Sequence, residues 1–215
     1  MLKSLKLKIQ EIKKEELYNT SSHFIGLILS IIGAPVLFYY DQHLTFLSTW
    51  SIIFYVFGLI LVYLASSLYH FTTNPILKEK FRIFDHISIY YLIAGSYAPV
   101  CLITLYDGQG LNVFLGVTSL ALFGTLFKIF LTGKFEVLFM LLYLLMGWLI
   151  IIEFDNILLY IDIYGIYLMV LGGVCYTLGV VFYSLDKLKY SHTIWHVLVL
   201  GGSISHYFMV LFYII

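Results

Sequence analysis

Charge is what this 215-residue sequence has least of. Only 11% of its residues are Asp, Glu, Lys or Arg, while 61% are hydrophobic and mean hydropathy is +0.97. A water-soluble domain of this length could not cover its exterior with so few charges, so the apolar surface is expected to face a lipid bilayer. Acidic and basic residues balance at twelve each, which removes any global electrostatic case for nucleic acid. Cysteine is scarce too: Cys101 and Cys175 sit in apolar runs, form no CxxC, and read as small packing residues without a disulfide or redox role. There are three prolines, and no Pro/Ser-rich linker, low-complexity tract or internal repeat divides the chain. One domain over residues 1–215 is therefore expected. The opening MLKSLKLKIQEIKKE is basic and amphipathic, and lacks a compact apolar core followed by small residues. It reads as part of a cytoplasmic arm over residues 1–21 and not as a cleavable signal peptide.

What the sequence does have is long apolar runs. A membrane helix needs about 20 mostly apolar residues, and seven stretches qualify: residues 22–40, 44–71, 83–106, 111–131, 135–152, 163–185 and 192–215. Turn and charge signals fall between them, at 41–43, 72–82, 107–110, 132–134, 153–162 and 186–191. The expected fold is an all-α membrane protein, a bundle of seven transmembrane helices. Charge then orients it. All Lys and Arg residues fall on one side of this threading: Lys3, Lys6, Lys8, Lys13 and Lys14 in the arm, then Lys78, Lys80, Arg82, Lys128, Lys134, Lys187 and Lys189. The opposite loops hold no Lys or Arg, but carry Asp41, Asp107, Glu153, Asp155 and Asp162. The positive-inside rule puts the N-terminus in the cytoplasm and, after seven crossings, the C-terminus outside. Six or eight spans would scramble this charge pattern.

Polar residues inside membrane helices are costly and mark function. In this threading His70 ends span two, Asp85 and His86 open span three, His192 and His196 open span seven, and His23 opens span one, all near one membrane depth. His192 and His196 are four apart, so both imidazoles leave one helical face, a two-point metal grip to which His70 would add a third nitrogen. Three protein ligands leave one position open on a tetrahedral zinc ion, the catalytic pattern. Ser66, one turn before His70, and Asp85 could hold the water or orient a ligand there. The bland readings stand beside this one. An i, i+4 histidine pair often holds no metal, and Asp85 could be an N-terminal helix charge favoured by the helix dipole.

Several motifs in order carry a resemblance: Glu16, Asn19, His23 and Gly26; Ser66-Ser67-Leu68-Tyr69-His70; Asp85-His86 leading to Ala94-Gly95-Ser96-Tyr97-Ala98-Pro99; and Ser191-His192-Thr193-Ile194-Trp195-His196. Over nearly its whole length the chain resembles the bacterial haemolysin III family, within the superfamily that includes the progestin and adiponectin receptors. The resemblance implies a Zn2+ ion held by His70, His192 and His196, with a water bridging it to Asp85 and Ser66 nearby. It also implies location in the plasma (inner) membrane of a bacterium. The large N-terminal soluble domain expected of adiponectin receptors is not seen, so hormone recognition does not transfer. Glu16, Asn19 and His23, at i, i+3 and i+7, share a helical face that could seal the site's cytoplasmic mouth or pair with a basic group. For Asn19 the competing reading is a plain helix cap, shared with Thr20 or Ser21. His206, fourteen residues after His192, reads as a hydrogen-bonded buried histidine and not a fourth ligand. Pro35 and Pro99 read as kinks.

The leading functional expectation is a zinc-dependent hydrolase of lipid amides, ceramidase-like, with an interior cavity for a lipid amide or fatty acid. In it Asp85 takes and returns a proton and Ser66 helps hold the oxyanion. The alternatives are a non-catalytic membrane sensor or regulator with a structural zinc, and a haemolysin-like, membrane-perturbing protein. For the last, no span shows the charged or alternating face of a wide aqueous pore.

Overall fold

The computed structural model describes residues 2–131, 133–185 and 187–215, with the side chains of 2–9 left aside. Met1, Thr132 and Asp186, the last two in expected interruptions, lie outside the described residues, as do the side chains of Lys3, Lys6 and Lys8. Among the described residues there is no strand, and seven helical stretches are long and apolar enough to cross a membrane. They are α1 (Leu2–Tyr40), α2 (Ser48–Phe71), α3 (Pro75–Pro99, continuing as a π turn over Val100–Thr104), α4 (Gly110–Leu131), a composite fifth span, α7 (Ile163–Tyr183) and α8 (Ser191–Tyr213). The fifth span is α5 (Glu136–Trp148), a 3-10 turn (Leu149–Glu153) and α6 (Phe154–Tyr160). Large apolar side chains such as Phe46, Phe130 and Ile152 lie exposed around the outside, as a bilayer-facing surface requires.

Three helices run past the expected bounds, each for a local reason, while α2 begins at Ser48 and not at residue 44. Helix α1 does not start at residue 22. Its first turns are rich in Leu, Lys, Gln and Glu, good helix formers, and no Gly or Pro precedes Gly26, so arm and span form one helix. That also removes the cap reading of Asn19, which lies mid-helix.

Helix α3 starts at Pro75 and not at residue 83. Asn74 accepts from the Ile76 and Leu77 N–H groups (3.0 and 3.2 Å) and Pro75 takes the first helical position, a strong N-terminal signal. Asp85 is therefore ten residues inside the helix, and a dipole effect confined to the first turn cannot explain it. The fifth span continues past residue 152 to Tyr160. Its 3-10 turn is pinned by Tyr97, whose hydroxyl donates to the Met146 carbonyl (2.7 Å) and accepts from the Ile150 N–H (2.8 Å).

Close helix contacts set the register of the site. A Cβ on Gly58 would stand 2.5 Å from the Tyr91 carbonyl oxygen, and one on Gly95 2.8 Å from that of Phe54. Backbones of α2 and α3 thus touch at both levels, as small residues permit in membrane helices. Running this antiparallel register about two turns further toward the basic end sets Asp85 level with Ala65 and Ser66, one turn inside His70. At Pro99, which has no N–H to continue the ladder, α3 widens into the π turn.

Candidate metal centre

The last turn of α2 and the first turns of α8 meet at the basic end of the bundle. One nitrogen from each of His70, His192 and His196 falls in a group whose members are all within 4.8 Å of one another. His70 Nε2 and His192 Nε2 are 3.2 Å apart, close to the roughly 3.3 Å edge of a tetrahedron with metal–nitrogen bonds of about 2.0 Å. His196 is fully buried, and its Nε2 has no hydrogen-bond partner among the described residues.

The outward-facing nitrogens are held by α1. His70 Nδ1 lies 2.7 Å from Glu16 Oε2, and the other oxygen of Glu16 accepts from Lys78 Nζ at 2.9 Å. His196 Nδ1 lies 3.2 Å from the Asn19 carbonyl oxygen. With a carboxylate and a carbonyl as acceptors, each Nδ1 must carry the hydrogen. Each Nε2 then keeps its lone pair for the space between the rings, the arrangement a metal-ligating histidine needs. Asn19 also accepts at Oδ1 from the Thr193 hydroxyl (2.6 Å), tying α1 to the helix that carries two of the histidines. The face shared by Glu16, Asn19 and His23 thus serves as the outer support of the histidine group, and Glu16 does pair with a basic residue. Nothing in the spacing of Lys78 or Thr193 marks this supporting role in the sequence.

Asp85 and Ser66 are both buried, and neither Asp85 Oδ2 nor Ser66 Oγ has a hydrogen-bond partner among the described residues. Ser66 and His70 are near enough to act on the Asp85 carboxylate. Three orphaned polar atoms, His196 Nε2, Asp85 Oδ2 and Ser66 Oγ, in one buried corner fit a metal with an ordered water, since unpartnered buried polar groups are otherwise costly. His23 stacks on His196 with ring centres 3.7 Å apart. His86, next to Asp85, is not a member of the histidine group and lies within electrostatic reach of Lys128, Glu136, Arg82 and His70. His206 stays out of the group: its Nε2 lies 3.1 Å from the Met169 carbonyl oxygen.

A cavity of about 190 Å3 opens beside this corner. Asp85 and His23 stand at one end, His206 and Ile166 toward the other, and apolar side chains such as Leu144 and Val170 form most of the wall. Along α3 the lining runs from Asp85 to Val100, about 22 Å at 1.5 Å per residue. That exceeds the roughly 15 Å that one leaflet contributes to a hydrocarbon core. Exposed Ile151 and Phe154 at its rim place an opening on the lipid-facing side.

These features define a multi-pass α-helical membrane protein with three histidines positioned to hold a metal ion. The chain belongs to the haemolysin-III related family, whose model matches residues 12–207. It is 37% identical over 203 residues to Hemolysin-3 of Bacillus cereus (94% of this chain, 93% of that protein). It is 40% identical over 203 residues to the Hemolysin-3 homolog of Bacillus subtilis strain 168 (93% and 94%). A more distant similarity, 25% over 206 residues (91% and 83%), is to the human monocyte to macrophage differentiation factor. With seven apolar helices and these relatives, the protein is a multi-pass bacterial membrane protein.

The carboxylate behind His70 gives a direct expectation. Glu16→Gln keeps the side chain's size but weakens the hold on Nδ1, and should lower metal affinity by about 10–100-fold. Competition against a chromophoric chelator in detergent reads this out; an unchanged affinity would assign Glu16 to the Lys78 pair alone.

Proposed function

We propose that the protein is a zinc-dependent hydrolase of lipid amides, with its site near the cytoplasmic face, the N-terminus inside and the C-terminus outside. The observation that carries this reading is the buried corner where three imidazole nitrogens, an unpartnered carboxylate oxygen and an unpartnered hydroxyl meet an apolar, lipid-length cavity. Borderline-soft imidazole ligands without thiolates suit zinc. Bound zinc would supply a Lewis acid and a water with a pKa near about 7. The chain's own groups account for the rest. The apolar cavity takes the acyl chain and brings the amide to Asp85. Asp85 Oδ2, with no hydrogen bond of its own to break, takes a proton from the attacking water and returns it to the departing amine. Ser66 Oγ donates to the oxygen of the former carbonyl as charge builds there. The orientation rests on the positive-inside rule.

The test is fatty-acid release from a short-chain ceramide by detergent-purified, zinc-loaded protein. Wild type should release acid while chelator-treated protein and His196→Ala should not. Equal, slow release by all three would reject the hydrolase.

One observation favours a second reading, a structural metal in a non-catalytic sensor. The histidines come from α2 and α8, helices that touch each other far less than each touches α1, so a metal would join them directly. That reading expects chelation to lower the melting temperature and no turnover in any assay. A lytic pore is supported least, because the cavity walls are mostly apolar.

A further inference from the structure

A second polar group meets the same cavity on α3, α4 and α5, and contains no member of the histidine triad. Lys128 lies one turn from the end of α4, where a lysine ordinarily extends its stem outward so that the ammonium reaches the aqueous interface. Here the side chain turns inward. Lys128 is 1% exposed, lines the cavity, donates to Glu136 Oε2 and stands 4.6 Å from the centre of the Phe139 ring. Glu136, also on the cavity wall, is fixed from behind by the Gly133 N–H, 2.9 Å from Oε1. His86 lines the cavity beside this pair, held by the Tyr143 hydroxyl on its carbonyl (2.9 Å), and its Nδ1 is buried without a hydrogen-bond partner. An unsatisfied imidazole nitrogen beside an ion pair whose ammonium is buried, in a wall otherwise mostly apolar, marks a place where a ligand supplies the missing partner.

We propose that His86, Lys128 and Glu136 form a headgroup site for a neutral, hydroxyl-bearing lipid whose tail occupies the cavity. Lys128 and Glu136 neutralise each other, so an anionic head would set an uncompensated negative charge against the Glu136 carboxylate. A hydroxyl meets no such obstacle, because it accepts from an ammonium and donates to a carboxylate or an imidazole nitrogen at once. With the lipid-amide function, on which this one step rests, the ligand is an N-acyl amino alcohol. Its amide lies toward Asp85 and its hydroxyl reaches Lys128 and Glu136.

The experiment measures equilibrium binding of tritiated ligands to chelator-treated protein in detergent, where no hydrolysis interferes. N-(2-hydroxyethyl)hexadecanamide is compared with N-propylhexadecanamide, which has the same tail and length with a methyl in place of the hydroxyl, and with hexadecanoic acid. Wild type should prefer the hydroxyl amide over the propyl amide by about tenfold. Lys128→Met/Glu136→Gln should bind both amides equally, at the wild-type affinity for the propyl amide, which also shows that the cavity is intact. If that variant binds neither, His86→Leu decides, with the preference expected to fall below threefold. Equal binding of the two amides by wild type would overturn the proposal, as would a full preference in a variant that still binds the propyl amide. Hexadecanoic acid binding tightest, and losing affinity with Lys128, would overturn it in favour of a carboxylate site. Because the protein is metal-free, a negative result here leaves hydrolysis untouched, and absence of hydrolysis leaves a positive result standing.

Discussion

Replacing His192 and His196 together by alanine is expected to take bound zinc from about one ion per chain to background, since one imidazole cannot hold the ion that three hold. The expectation rests on ring orientation more than on the number of histidines. Hydrogen bonds to Glu16 and the Asn19 carbonyl commit both His70 and His196 to protons on Nδ1, leaving Nε2 unprotonated. His192 Nε2 lies 3.2 Å from His70 Nε2, so the two share either a proton donated by His192 or a metal between two lone pairs, whereas the buried lone pair of His196 Nε2 has no donor among the described residues. Elemental analysis of protein purified in detergent without added metal makes the measurement. His206→Ala, which removes a histidine held by Met169 and distant from the triad, should keep its zinc and serves as the control. Equal metal in wild type and the double variant would remove the basis of every role assigned to this corner.

Much of the fold is legible in the sequence because a bilayer makes the coding coarse. Each span must be about 20 apolar residues long, so hydropathy finds it, and basic residues at Lys78–Arg82, Lys128–Lys134 and Lys187–Lys189 mark the ends. Two of the boundaries that differ are those where a helix continues beyond its apolar run. There hydropathy goes silent while helix propensity and capping still act, as in the Glu- and Lys-rich start of α1 and the Asn74–Pro75 cap of α3.

The triad is legible for a related reason. A buried histidine is rare enough in a span to stand out, and i, i+4 spacing puts His192 and His196 on one face. Its outer support is only half legible: Glu16, Asn19 and His23 share a face, but that Asn19 would act through its backbone carbonyl as well as its side chain has no sequence signature. Lys128 is the least legible of all. At the end of a span it looks like one more interfacial anchor, and only packing against Phe139 and Glu136 turns it inward.

Asp85 separates chemistry from scaffolding. If it shuttles the proton, Asp85→Asn should lower kcat for ceramide hydrolysis by about 10²- to 10⁴-fold, the usual contribution of a positioned acid–base group. The asparagine has the same shape, so the α2–α3 contacts at Gly58 and Gly95 should hold and the melting temperature should stay close to that of wild type. Zinc content should not change, because the nitrogens that converge on the metal position are those of His70, His192 and His196. Ser66→Ala should cost less, at most about 10²- to 10³-fold, since it removes one donor to developing charge and leaves the proton path. Retained zinc with lost turnover places Asp85 in catalysis. Lost zinc would make it a fourth ligand and close the position that a hydrolase needs open. Turnover equal to wild type with zinc intact would refute the role given to its carboxylate, and the corner would then be best explained as the tie between α2 and α8.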